Sequence, residues 1–150
     1  MWDVESINIY HCLFVRVSKR NLKDDKSPTT SAFSNTPKDD DNLSSDWCKY
    51  STPHSCRALI GKIKNLKTKG YKIPEDFYIW RFNVLLLEQL SLPQKVEHDP
   101  INNNPEIDGE PNNRAHTKII GYKPTDSKQM NYAEYKVQIK RAGNWAIAPD

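Results

Sequence analysis

The stretch from Ile7 to Ser18 alternates between two faces, and this constrains the fold more than any other feature of the chain. One face carries Ile7, Ile9, His11, Leu13, Val15 and Val17, and the other carries Asn8, Tyr10, Cys12, Phe14, Arg16 and Ser18. A period of two, with β-branched and aromatic residues, predicts a β-strand. Such a strand is either half buried or flanked by partner strands, so we expect a sheet.

Two polar segments interrupt the apolar parts of the chain. Residues 21–46 carry six acids and three bases and show no periodicity, and residues 91–113 are rich in Pro and Asn. We expect both to be flexible, because they cannot bury enough surface to offset the entropy of ordering them. Hydrophobic residues make up 37% of the chain, so the core draws on about 100 residues. The predicted organisation is an opening strand (1–20), a flexible polar segment (21–46) and the remainder of a single domain (47–150).

Two helices are predicted in the middle of the chain. The first runs from Pro53 to Lys69, because Thr52 is a suitable N-cap, proline suits the first helical position, and Gly70 suits the C-terminal end. Its apolar stripe comprises Leu59, Ile60, Ile63 and Leu66. The second begins near Pro74 and ends before Pro93, and its apolar residues include Phe77, Trp80, Val84, Leu85, Leu87 and Leu90.

Further strands are predicted near the C-terminus. Thr117–Tyr122 is short and apolar, and Tyr132–Arg141 alternates, with Ala133, Tyr135, Val137 and Ile139 on one side. Residues 142–144 then offer a hairpin turn, and residues 145–148 a return strand. The expected fold class is α+β, an antiparallel sheet packed against two helices, with long polar loops.

Several functions find no support in the sequence. No apolar run approaches the roughly 18 residues of a membrane span, and the N-terminus does not resemble a signal peptide. Three cysteines are too few for a disulfide scaffold, so a reducing compartment is the default expectation. No phosphate-binding glycine loop, nucleophile elbow or metalloprotease motif is present, so we expect neither an enzyme nor a cofactor. A metal-dependent enzyme built on Cys48, His54 and Cys56 is a third, weaker hypothesis.

A basic block stands out from the rest of the charge pattern. Between residues 49 and 72 there are seven bases and no acid, and residues 114–141 carry seven more bases with two acids. The candidate residues for binding anionic lipid or RNA are Lys49, Arg57, Lys62, Lys64, Lys67, Lys69, Lys72, Lys136, Lys140 and Arg141. The alternative is a solvated helix face whose lysines complement the helix dipole.

The order of predicted elements resembles that of the compact matrix proteins of rhabdoviruses, such as those of plant-infecting lineages. The resemblance lies in the opening strand, in the helical tract 55–90, and in the basic final hairpin that ends at Trp145. It implies a non-catalytic virion protein that bridges the nucleocapsid and an anionic membrane, and that associates with itself. It also implies a location in the virion, in the host cytoplasm and at host membranes, with the nucleus as a further site.

The leading hypothesis is therefore a matrix-like structural protein of a virus, with membrane, nucleocapsid or RNA, and further copies of itself as partners. The alternative hypothesis is a single-stranded nucleic-acid-binding accessory module, in which lysines contact phosphates and aromatic residues such as Tyr71 stack on bases.

Overall fold

A computed structural model describes residues 1–33, 42–65, 67–102, 111–121 and 130–150. Within these residues the chain forms six strands: β1 (Cys12–Ser18), β2 (Asn42–Trp47), β3 (Phe77–Asn83), β4 (Lys95–His98), β5 (His116–Ile120) and β6 (Gly143–Ile147). All paired neighbours are antiparallel, in the order β4-β5-β2-β1-β3-β6. Three α-helices accompany them in the described residues: α1 (Pro53–Ala58), α2 (Val84–Glu88) and α3 (Met130–Arg141). The α+β prediction is confirmed.

The main core lies on one face of the sheet. Leu13, Val15 and Val17 of β1 are buried there, as the alternation predicts. They share this core with Tyr135 and Ile139 of α3, which therefore covers this face. The strand itself begins at Cys12, so the predicted boundary at Ile7 is five residues too early.

The opposite face carries a smaller core beneath α1. Cys56 packs there against Phe14 of β1 and Ile79 of β3. The predicted start of this helix is confirmed: Thr52 and Ser55 form a capping box, in which the Thr52 side chain accepts the Ser55 N–H at 3.1 Å. Burial on both faces explains why β1 has large apolar residues on both sides.

The predicted end of the first helix at Lys69 is wrong. The α-helix ends at Ala58, continues as a single 3-10 turn over Leu59–Lys62, and then becomes extended at Ile63. Residues beyond this point pair with each other across an antiparallel bridge, Lys64 with Tyr71, instead of continuing the helical hydrogen bonds. Of the predicted apolar stripe, Ile60 is buried, and Leu66 lies outside the described residues.

The predicted second helix is largely a strand. Only a 3-10 turn at Pro74–Asp76 and the short α2 are helical, and β3 lies between them as an interior strand paired with β1 and β6. Ile79 faces the smaller core while Trp80 and Phe82 face the main one. Because Ile79 is buried on one face and Trp80 on the other, the alternation is broken at this point and the apolar residues coincide with a helical spacing.

The first strand of the predicted C-terminal hairpin, Tyr132–Arg141, is wrong. Residues 130–141 form α3, in which Tyr135 and Ile139, four positions apart, are both fully buried while Val137 is 44% exposed. The predicted return strand is present as β6, but it pairs with β3. Gly143 makes this pairing possible, because a Cβ there would collide with the Arg81 carbonyl oxygen and lie 2.6 Å from Trp80 Nε1.

The two polar segments contain ordered structure, which corrects the expectation that they are flexible loops. In the first, Phe33 is fully buried and β2 is an interior strand between β1 and β5; residues 34–41 lie outside the described residues. In the second, β4 pairs with β5, and residues 103–110 lie outside the described residues. Short polar strands are stabilised by their neighbours in the sheet, a contribution that local composition does not reveal.

Candidate anion-binding surface

The seven bases of the basic block do not lie on one helical face, and the first two, Lys49 and Arg57, contact other residues of the protein. Lys49 follows β2 and forms an ion pair with Glu5 at 2.5 Å, with its ammonium 5.2 Å from the centre of the Trp47 ring. Arg57 donates from Nε to the Pro74 carbonyl oxygen at 3.0 Å and lies over the Tyr78 ring. Both side chains therefore have a structural role in the described part of the chain, and this role accounts for the two bases without any external ligand.

The remaining five lysines of the block lie together on a loop. We define the lysine loop as residues 62–72, which carry Lys62, Lys64, Lys67, Lys69 and Lys72. Ile63 accepts a hydrogen bond from the Lys72 N–H at 2.8 Å, and Gly70 accepts one from the Asn65 N–H at 2.6 Å. Lys69 has a positive φ of 60°, which turns the chain back toward its start. The lysines are thus held on a closed, hairpin-like projection.

All five lysine side chains of the loop are exposed. None of the ion pairs found among the described residues includes any of them. The nearest acids along the chain are Glu75 and Asp76, and the carboxylate of Asp76 is already 2.8 Å from Lys19 Nζ. The loop therefore presents a concentrated positive charge to solvent.

Two exposed hydrophobic residues lie at the end of the lysine loop. Tyr71 is 60% exposed and Ile73 is 55% exposed. Side chains of this kind, next to a cluster of lysines, can enter the boundary between lipid headgroups and acyl chains, where an aromatic ring with a polar hydroxyl is favoured. Tyr71 is also placed to stack on a nucleic-acid base. Trp80, which follows further along the chain, is buried in the main core and does not contribute to this surface.

The basic residues near the C-terminus do not extend this surface. Lys136, Lys140 and Arg141 lie on α3, which covers the main core, whereas α1, which leads into the lysine loop, packs on the other face. Burial and the neighbouring Lys23 lower the pKa of Lys140. The structure therefore divides the predicted site residues into three groups: Lys49 and Arg57 with internal partners, the lysine loop, and the bases of α3.

A buried ion pair, which the sequence pattern does not indicate, lies next to α1. Arg16 Nη2 is 2.6 Å from Asp46 Oδ2, and the Asp46 side chain is 1% exposed. Asn113 Nδ2 donates to the other carboxylate oxygen at 2.8 Å, and Arg16 Nε donates to the Cys56 carbonyl oxygen at 2.8 Å. These contacts join β1, β2, α1 and the segment that precedes β5. Their role is to hold α1 in place on the sheet and the strands in register.

A second polar cluster holds the N-terminal segment against the sheet. The Glu5 carboxylate accepts hydrogen bonds from Lys49 and from the Tyr50 hydroxyl, and these two bonds lower its pKa. The Glu5 N–H donates to His98 Nδ1 at 3.0 Å, while His98 Nε2 donates to the Arg114 carbonyl oxygen at 2.7 Å. With both ring nitrogens engaged, His98 has a structural role in this cluster.

The structure does not assemble the hypothetical metal site. His54 is exposed on α1, and Cys56 is buried, where burial raises the pKa of its thiol. Cys48 instead lies beside Cys12. The backbone N–H of Cys12 donates to the Cys48 sulfur at 3.3 Å. No group of three metal-ligating side chains was found in the described ranges. Helices able to span a membrane are likewise not found among the residues that the structure describes.

Comparison with known proteins adds no relative: the chain matches no family model, no curated protein and no solved structure.

Proposed function

We propose that this protein is a non-catalytic, matrix-like viral assembly protein that adsorbs to anionic membrane surfaces through the lysine loop. The single observation that supports adsorption is the set of five exposed lysines on one hairpin-like loop, without ion-pair partners in the described part of the chain. The viral setting rests on the resemblance in sequence alone. Of the elements that carry it, the opening strand is present as β1, whereas much of the tract 55–90 is not helical and the basic segment before the final strand is the helix α3.

The charge on the loop is sufficient for reversible adsorption. Each lysine close to an anionic membrane contributes about 1 kcal/mol, so five contribute up to about 5 kcal/mol before any apolar contact is made. Partial insertion of Tyr71 and Ile73 would add to this, because both expose apolar surface next to the lysines. Because the attraction is electrostatic and exposed to solvent, it should weaken steeply as salt is added.

A matrix role requires a second contact besides the membrane. The bases of α3, Lys136, Lys140 and Arg141, lie on the element that covers the opposite face of the sheet from α1. The protein can therefore bind lipid through the lysine loop, which follows α1, and bind nucleocapsid, RNA or a further copy of the protein through α3 on the opposite face of the sheet. Self-association is part of this proposal.

Vesicle flotation tests the proposal directly. We expect the full chain to float with phosphatidylcholine vesicles that contain phosphatidylserine, to remain at the bottom with phosphatidylcholine alone, and to detach as salt rises. Single-stranded RNA added as a competitor separates the two candidate ligands. Failure to float with either vesicle at low salt would contradict membrane adsorption.

The second candidate function is binding of single-stranded nucleic acid, and one observation favours it. Tyr71 is exposed directly within the lysine loop, a combination of stacking side chain and phosphate contacts that suits unpaired bases. Salt-dependent retention of RNA on a filter, without flotation on anionic vesicles, would support this function over the first.

A further inference from the structure

Two of the three cysteines lie directly opposite each other in the sheet. Leu13 pairs with Trp47, and Phe14 pairs with Asp46, so the same antiparallel register places Cys12 opposite Cys48. The Cys48 N–H donates to the Cys12 carbonyl oxygen at 3.0 Å, which continues the pairing of the two segments past the end of β2. Residues opposite each other in an antiparallel pair project to the same side of the sheet.

The Cys48 sulfur also lies close to Cys12. The Cys12 backbone N–H donates to Cys48 Sγ at 3.3 Å. Directly opposite residues have Cα atoms about 4.5–5.5 Å apart, inside the range of about 4.4–6.8 Å that disulfides span. Both cysteines are partly exposed, whereas Cys56 is buried. A small oxidant can therefore reach the pair.

We propose that Cys12 and Cys48 form a reversible intramolecular disulfide when the protein meets a peroxide. In the first step one thiolate attacks a peroxide oxygen of hydrogen peroxide, which gives a sulfenic acid and releases hydroxide, protonated to water. In the second step the other thiolate attacks the sulfenic sulfur, which forms the S–S bond and releases a second water. Two thiols lose two hydrogens and two electrons in total, and peroxide is reduced to two water molecules.

This modification goes beyond adsorption and acts at a different place in the fold. The bond would fix the start of β1 to the segment that leaves β2, next to Lys49 and the cluster that holds the N-terminal segment. Because burial and the contact with Cys48 raise the pKa of Cys12 to about 11, its reactive thiolate is scarce at neutral pH. We therefore expect the bond to form more slowly at about pH 7 than at about pH 9.

Thiol titration of the folded chain after treatment with hydrogen peroxide tests this proposal. We expect the thiol count, measured after unfolding, to fall from three to one per chain, and dithiothreitol to restore it. Peptide mapping should recover the Cys12 and Cys48 peptides joined and the Cys56 peptide reduced. Unchanged thiols, a bond that involves Cys56, or a dimer linked between chains would each overturn the proposal.

Matched variants keep the result interpretable. Cys56→Ala should form the bond at the wild-type rate, because Cys56 takes no part in it. Cys12→Ser and Cys48→Ser should each lose the bond, with the thermal unfolding midpoint of the untreated variants showing that they are folded. An intramolecular bond that persists in either serine variant would assign the chemistry to a different pair.

Discussion

Replacing Lys62, Lys64 and Lys67 together with glutamine is expected to weaken binding to phosphatidylserine-containing vesicles by about 100-fold. Each lysine near an anionic surface contributes about 1 kcal/mol, and about 3 kcal/mol corresponds to a factor on the order of 100 in affinity. All three side chains are exposed, so the fold should be unaffected. Titration of the protein with vesicles at about 0.1 M salt, where exposed charges interact over about 10 Å, measures the change.

A matched control distinguishes the lysine loop from overall charge. Lys23, Lys26 and Lys95 are also exposed, and replacing them with glutamine changes the net charge by the same amount, from +3 to 0. This control should bind within a few-fold of wild type. An equal loss of binding in both variants would mean that net charge, and not the loop, governs adsorption.

The Asp46→Asn variant should be less stable to unfolding than wild type by about 3–5 kcal/mol. The Asp46 carboxylate is buried, with Arg16 Nη2 at 2.6 Å and Asn113 Nδ2 at 2.8 Å. Neutralising it leaves the largely buried guanidinium of Arg16 without its counter-charge, and removing one partner of a buried ion pair is costly for that reason. Urea unfolding followed by tryptophan fluorescence gives the difference in free energy.

Asp76→Asn is the matched comparison for this second prediction. Asp76 forms an ion pair of similar length, 2.8 Å with Lys19, but both side chains are substantially exposed. Exposed ion pairs contribute about 0–1 kcal/mol, so this variant should differ little from wild type. Equal and small effects of both substitutions would contradict the structural role assigned to Arg16 and Asp46.

Local sequence signals predicted those elements that show a regular alternation, a short apolar run or a definite cap. The alternation before Ser18 identified β1, the short apolar run after Thr117 identified β5, and Thr52 with Pro53 marked the start of α1. In each case the signal lies within a few residues and depends on nothing distant.

Prediction failed where distant contacts decide the local structure. The interior strand Phe77–Asn83 buries Ile79 on one side and Trp80 and Phe82 on the other, so the apolar residues of its sequence also fit a helical spacing. In α3 the alternation of Tyr135, Val137 and Ile139 suggested a strand, whereas in the helix Val137 is exposed and Tyr135 and Ile139 are buried. The Gln138 amide donates to Glu134, four residues earlier, as helical neighbours do.

The candidate site was predictable in composition but not in shape. The run of lysines is visible in the sequence, yet the bridge between Lys64 and Tyr71 that closes the loop is not. The contacts of Asp46 with Asn113, and of Cys12 with Cys48, join residues far apart in the chain. They follow from the strand order, which no local pattern in this sequence specifies.

Hydrogen–deuterium exchange of the full chain, with and without phosphatidylserine-containing vesicles, tests most directly whether the lysine loop is the membrane-binding surface. We expect the vesicles to slow exchange of the backbone amides between residues 62 and 73, and to leave those of the sheet unchanged. Slower exchange at α3 or at the N-terminal segment, with no change in the loop, would contradict this assignment.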